Sequence, residues 1–289
     1  MSETILRLAA AQYDISFLDD WVAYEAKLDR WFADATANRA RFLVFPEYFS
    51  MELASLFGPD ISGSLSRQLE ALQDVLPDFL IAFASRAKRH ATYVVAGSFP
   101  VRDGDVFRNR SFFFRPDGSY AYQDKLQMTR FESERWAIAP GERIRTFATE
   151  FGIVGISICY DGEFPLIARR QVEAGAVLIL VPSCTDTLAG YHRVRIGARA
   201  RALENQCYVV QSSTVGLAPW SEAVDVNVGA AGIFTPVDYG YPDDGVLATG
   251  ELDVPGWVYG DLDLAAIERV RCEGQVFNHR DWAAQLRFT

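Results

Sequence analysis

The sequence is short of the residues that metal centres and disulfide frameworks need. Its 289 residues hold four cysteines, Cys159, Cys184, Cys207 and Cys272, and three histidines, His90, His192 and His279. The cysteines are widely spaced and follow no secretion signal, which argues for free thiols rather than a disulfide scaffold. No His or Cys pairs with another at a ligand spacing, so no metal site is expected. A basic excess is also missing. The formal charge is −10, and no basic run is interleaved with aromatics, which opposes attraction to nucleic acid or anionic lipid. No apolar run approaches the roughly 20 residues that span a bilayer. Residues 1–8 carry Glu3 and Arg7 and lack a cationic segment followed by a long apolar one. A cytoplasmic protein that uses neither membrane nor nucleic acid is expected.

What is present suits a globular core: 49% hydrophobic residues, 23% charged and 13% aromatic. No repeat, low-complexity tract or linker divides the chain, so one α/β domain over residues 1–289 is expected. Short apolar, β-branched runs at 5–11, 42–45, 93–99, 153–158, 177–181 and 207–212 read as buried strands. Residues 21–36, with Val22, Leu28, Trp31, Phe32 and Ala35 apolar, and 65–89, broken near Pro77, read as amphipathic helices. Aromatic strand material over 109–125 is divided by Arg115-Pro116-Asp117-Gly118-Ser119, a hairpin signal. A further strand-rich stretch runs over 229–262. Two sheets packed face to face with helices outside would accommodate this mixture. The irregular segment 216–227, with Leu217, Pro219 and Trp220, is either a substrate-facing flap or a covering loop.

Three positions carry chemistry. In Ile158-Cys159-Tyr160-Asp161-Gly162-Glu163-Phe164-Pro165 an apolar strand runs into a thiol, a polar turn and a proline suited to a helix start. Such a corner exposes the side chain, aims backbone N–H groups at it and favours thiolate; a buried structural cysteine is the plainer alternative. Phe45-Pro46-Glu47-Tyr48-Phe49 places an acid where a strand leaves its sheet. Partial desolvation there would suit Glu47 to general-base work, although loop acids are usually solvated. Tyr122-Gln123-Asp124-Lys125-Leu126 ends the second hairpin strand in a lysine. Lys125 is either an edge charge or a group that stabilises an oxyanion.

Together these strings resemble the nitrilase (carbon–nitrogen hydrolase) superfamily. Glu47, Lys125 and Cys159 follow the order and rough spacing of its Glu-Lys-Cys triad, and Cys-Tyr-Asp-x-x-Phe-Pro is the most diagnostic string. The resemblance extends over nearly the whole chain. It implies a four-layer α-β-β-α sandwich and hydrolysis of a non-peptide carbon–nitrogen bond through a thioester, with no cofactor. The substrate would be a small-molecule amide or nitrile, and Tyr160 would supply an oxyanion N–H. It also implies a second glutamate before a Pro-Gly; Glu134, ahead of Pro140-Gly141, fits best, with Glu132 as competitor. Tyr48, Cys184 and Glu163 are expected around the substrate. Gln127 stands where many members carry His two residues after the lysine, and this with the string Thr129-Arg130-Phe131-Glu132 points to a less characterised, amidase-like branch.

Cys184, after the 177–181 strand, is the rival nucleophile but has no identifiable base; a pocket-rim position is expected. Cys207 reads as a core strand residue and Cys272 as a surface one. A papain-like pairing with His192 or His279 lacks the flanking pattern, and His90 reads as a partner of a helix C-terminus. Arg193, Arg195, Arg199 and Arg201 either pair with acids or cover an interface, or one of them binds a substrate carboxylate. The aromatic tail 276–288 suits exchange across a subunit interface, and a homodimer or larger homo-oligomer is expected. Nitrile hydrolysis, acyl transfer to an amine and a silent binding role are the competing functions.

Overall fold

The computed structural model describes residues 5–288. In chain order it contains β1 (Ile5–Asp14), α1 (Trp21–Ala37), β2 (Phe42–Phe45), α2 (Pro59–Ser62), α3 (Leu65–His90), β3 (Tyr93–Ala96), β4 (Phe99–Asp103), β5 (Val106–Phe114) and β6 (Tyr120–Asp124). Next come β7 (Thr146–Thr149), β8 (Gly152–Ile156), α4 (Pro165–Glu173), β9 (Ala176–Ser183), α5 (Leu188–Asn205) and β10 (Tyr208–Leu217). The chain continues through β11 (Val226–Asn227), β12 (Gly232–Phe234), β13 (Val246–Thr249), β14 (Gly256–Asp263), α6 (Leu264–Glu273) and α7 (Asn278–Asp281).

The strands join in the order β4-β5-β3-β2-β1-β10-β9-β8-β7, with β6 on β5, β14 on β1, and β12 on β10. β1 is the splice. Its residues Leu8 to Ala10 pair parallel with β2, while Gln12 to Asp14 pair parallel with β10. The sheet curls there, and its two halves pack face to face.

Strand alternation shows the layering, because successive side chains point to opposite faces. Leu6, Leu8, Ala10, Phe42, Val44, Val95 and Phe113 face Val154, Ile156, Leu178 and Leu180 of the other half. Ala9, Ala11, Tyr13, Leu43, Phe45, Val94, Phe112 and Phe114 face outward onto α1 and α3. Ala168 and Val172 of α4, with Val194, Ala198 and Ala202 of α5, cover the second half. The architecture is the four-layer α-β-β-α sandwich.

Two helix readings need correction. In α1 the buried face is Tyr24, Lys27, Leu28, Phe32 and Ala35, and Val22 is exposed. Asp20 caps that helix by accepting the Ala23 N–H at 2.8 Å. α3 runs unbroken through Pro77. That proline lies on the exposed side, where solvent is at hand for the carbonyl its missing N–H frees.

Cys207 precedes β10 rather than lying in it, though it is buried, and Cys272 is exposed. Segment 216–227 is an excursion whose ends pair as β10 and β11. Among the described residues no helix is long and apolar enough to cross a membrane.

Candidate active site

Three strand ends from both sheets meet at one cavity of about 600 Å³. Glu47 follows β2. Its corner is tight: Tyr48 has φ 54°, its N–H donates to Ser98 Oγ at 3.0 Å, and a Cβ on Gly97 would lie 1.9 Å from the Pro46 carbonyl oxygen. Lys125 follows β6, where its N–H donates to the Asn109 carbonyl (2.8 Å) and its own carbonyl accepts from Gly141 N (2.7 Å). Cys159 follows β8 and opens a 3₁₀ turn, Cys159–Glu163. At φ 48° it occupies the left-handed region that a non-glycine residue avoids unless the surroundings hold it there.

Lys125 is the hub. Its Nζ donates to Glu47 Oε1 at 2.8 Å and to Glu132 Oε2 at 2.6 Å, and all three side chains are almost fully buried. Asn109 Nδ2 bridges the two carboxylates, donating to Glu47 Oε1 (2.8 Å) and Glu132 Oε1 (3.1 Å). Glu132 also accepts from the Tyr48 hydroxyl (2.8 Å) and from the N–H and Oγ1 of Thr129 (both 2.9 Å). Glu47 Oε2 accepts the Cys184 N–H at 3.0 Å, and the Cys159 thiol donates to the Cys184 carbonyl at 3.8 Å.

The environment separates the charges. Burial would strip the Lys125 proton, but Glu132 and Glu47 hold it well above the ordinary lysine range. Burial would also raise Glu132, yet Lys125 and the Thr129 and Asn109 donors outweigh it and lower that carboxyl. Glu47 is raised, by burial first and by Glu132, against the pull of Lys125. Burial and the Glu47 charge push the Cys159 thiol well above its ordinary value. Cys159 is therefore held as a thiol, not as the thiolate expected from the corner geometry.

The structure corrects the second glutamate. Glu134 sits with half its side chain exposed, paired to Arg130 at 2.9 Å, and lies outside the cavity lining. Glu132, its competitor, lines the cavity and pairs with Lys125. The cavity is also lined by Tyr48, Tyr160, Glu163, Cys184, Arg193, Trp136, Met128 and, from the 216–227 segment, Glu222, Ala223 and Asp225. That segment thus faces the cavity. Glu163 faces Arg193 at 3.7 Å, and burial raises its carboxyl. Cys184 donates to Asn227 Oδ1 at 3.5 Å, and burial pushes its thiol up to about 12. Of the other arginines, Arg199 and Arg201 are tied to Asp244 and Glu204. His192 and His279 do not line the cavity.

Asn109 and Asp161 were not foreseen as site residues. Asp161, fully buried, accepts from Leu126 N (3.1 and 3.0 Å to its two oxygens) and from Gln127 N (2.7 Å). Gln127 enters the site through its backbone while its side chain is exposed. Among the described residues, no group of three His, Cys, Asp or Glu side chains is placed to hold a metal ion.

The family model described as carbon–nitrogen hydrolase matches residues 7–252. The chain is 34% identical over 276 residues to a probable hydrolase, YhcX, of Bacillus subtilis, covering 96% of this chain and 53% of that relative. It therefore spans about half that relative's length. It is 25% identical over 292 residues to the human omega-amidase NIT2, covering 96% and 95%. Among solved structures, the carbon–nitrogen hydrolase of Helicobacter pylori G27 superposes with a TM-score of 0.78 at 17% identity, over 99% and 95% of the two chains. Saccharomyces cerevisiae Nit3 gives 0.71 at 22%, over 92% and 93%. At these identities the likeness is one of fold.

Proposed function

The chain belongs to the carbon–nitrogen hydrolase family, and from that premise we propose that it cleaves a small amide to a carboxylic acid and ammonia or an amine, with Cys159 as nucleophile. One observation carries the reading: a cysteine held at φ 48° opens into the cavity where buried Lys125 bridges two glutamates. The relative named an omega-amidase supports an amide over a nitrile.

In the proposed cycle Glu47 takes the Cys159 proton as Sγ bonds to the carbonyl carbon. Its raised proton affinity suits that transfer. Lys125 and the Tyr160 backbone N–H hold the oxyanion, a contribution of about 10²–10³ in rate per donor in comparable sites. Glu47 returns the proton to the departing nitrogen, the C–N bond breaks, and a thioester remains. Water, losing a proton to Glu47, then releases the acid and the thiol. Glu132 keeps Lys125 charged and in place, the part assigned beforehand to Glu134. Tyr48 steadies Glu132; Tyr160, Glu163 and the Cys184 peptide shape the substrate space.

We also infer a cytoplasmic homodimer or larger homo-oligomer. Leu188, Ile196 and Leu203 of α5 and Leu166 of α4 expose apolar side chains on the same outer layer, a composition suited to an interface. A monomer by light scattering would contradict this.

The test of function is ammonia release from small aliphatic, carbamoyl and dicarboxylate monoamides and from nitriles, with Cys159→Ala as control. Release from amides that the control loses supports the proposal. Release from nitriles alone, or product only when an amine acceptor is added, would replace amide hydrolysis with one of those reactions.

A further inference from the structure

Lys125 and Cys159 stand at the ends of strands in opposite halves of the sandwich, β6 and β8. Their separation depends on how the two halves are fastened at the site. Main-chain bonds tie Lys125 to its own half through Asn109 and Gly141. Neither reaches the nucleophile.

Asp161 does. It lies two residues after Cys159 within the 3₁₀ turn, which its own N–H closes onto the Ile158 carbonyl at 3.0 Å. Helix α5 braces the turn from behind, where a Cβ on Gly197 would stand 2.9 Å from the Gly162 carbonyl oxygen. From that rigid base the Asp161 carboxylate receives the N–H groups of the two residues after Lys125, at 2.7 to 3.1 Å. The carboxylate is fully buried, so water does not compete for those donors. Once the carboxyl is ionised, above about pH 7, these are charge-assisted bonds, which are the strong ones.

We infer that Asp161 is a positioning residue, a clamp across the seam of the two sheets that fixes Lys125 against Cys159 for the reaction proposed above. It touches no substrate and acts through the Lys125 backbone. Oxyanion stabilisation depends on donor placement to within fractions of an ångström, so loosening the clamp acts on turnover more than on binding.

The experiment compares wild type with Asp161→Asn, which keeps the shape and an oxygen for the Gln127 N–H but removes the negative charge and sets an amide N–H where Oδ2 accepts from Leu126. For amide hydrolysis kcat falls roughly 100-fold, the effect of about 1 Å of misplacement, while KM stays within about threefold. Reaction of Cys159 with methyl methanethiosulfonate forms no oxyanion and needs only the nucleophile and its base. Its rate stays within about threefold of wild type if Lys125 alone has shifted. Parallel loss of both rates, or loss of neither, overturns the inference. Should Asp161→Asn fail to fold, Gln127→Pro removes the 2.7 Å donor at an exposed position and is judged by the same two rates. If wild type turns over no amide, the functional reading has failed, and a crystal structure of the variant then judges the clamp. Lys125 displaced from Glu47 and Glu132 supports it, and Lys125 unmoved overturns it.

Discussion

Glu132 Oε2 lies 2.6 Å from Lys125 Nζ with both side chains buried, whereas Glu134, two residues further on, faces solvent on Arg130. The two acids occupy one short helical turn, Phe131–Arg135, yet only one has its charge inside. A buried ion pair missing one partner strands the other charge, while an exposed pair contributes little. The same chemical change at the two positions therefore has different consequences.

Glu132→Gln is expected to lower kcat by roughly 100-fold or more, because Lys125 loses its closest counter-charge and its placement. Glu134→Gln should leave kcat/KM within about twofold, as befits an exposed i,i+4 pair. Steady-state kinetics on the two purified variants decide it, and equal losses would return the role to Glu134 or deny it to both.

Cys184 serves through its peptide. Its N–H holds Glu47 Oε2 and its carbonyl accepts the Cys159 thiol, while its own thiol is pushed up to about 12 and so stays protonated. Cys184→Ala should keep turnover within roughly threefold, since a buried cysteine acts as a small apolar filler. Cys184→Pro removes the donor to Glu47 and should be far less active. An inactive alanine variant with an intact fold would make Cys184 a reacting group.

Much of this arrangement was legible because it follows from local rules. Strand runs ending in Pro46-Glu47 and in Cys159 marked where the chain leaves the sheets, continuous apolar runs marked the buried strands, and the four-layer sandwich was what the family resemblance implied. The choice between Glu132 and Glu134 was also legible, though spacing to Pro140-Gly141 obscured it. Thr129-Arg130-Phe131-Glu132 is a Thr-x-x-Glu capping box. In the fold the Thr129 N–H donates to Glu132 and the Glu132 N–H to Thr129 Oγ1, at 2.9 and 3.3 Å. That reciprocal bond turns Glu132 inward. Asp161 and Asn109 left no such mark, because their partners lie 34 or more and 23 or more residues away. Distant pairings of this kind come from tertiary contact. The raised Cys159 thiol left no mark for a related reason, since desolvation is a property of the assembled cavity.

A second buried charge pair ties the 3₁₀ segment Phe49–Phe57, which follows the Glu47 corner, to α1. Lys27 Nζ of α1 donates to Glu52 Oε2 at 2.8 Å, with side chains 7% and 0% exposed, and Glu52 also takes the Tyr13 hydroxyl and the Ser16 N–H. Lys27→Met leaves Glu52 charged without its partner and should destabilise the fold by about 3–5 kcal/mol in urea titration. Because it lies outside the cavity, kcat per folded molecule should be unchanged. A loss of activity at full folding would show that the pair also tunes Glu47.

Asp161 sets a pH dependence of stability whose sign is fixed. Burial lifts its carboxyl from 3.8 to about 7, against the Leu126 and Gln127 donors and Lys125. Between those values the native state keeps a proton that the unfolded chain has released, so this group's contribution to stability falls as pH rises and levels off above about 7. A shift of roughly 3 units corresponds to about 4 kcal/mol at most. Asp161→Asn cannot titrate. Its stability relative to wild type should therefore improve as pH is raised through that window, even though the variant loses one acceptor for the Leu126 N–H at every pH. Urea midpoints for both proteins just above pH 3.8 and just above pH 7 measure the difference. Glu47 and Glu52, also raised by burial, and Glu132, lowered by Lys125, are common to both proteins and largely cancel. A stability difference that stays flat with pH would mean that Asp161 is ionised throughout, held down by its backbone donors more strongly than burial lifts it.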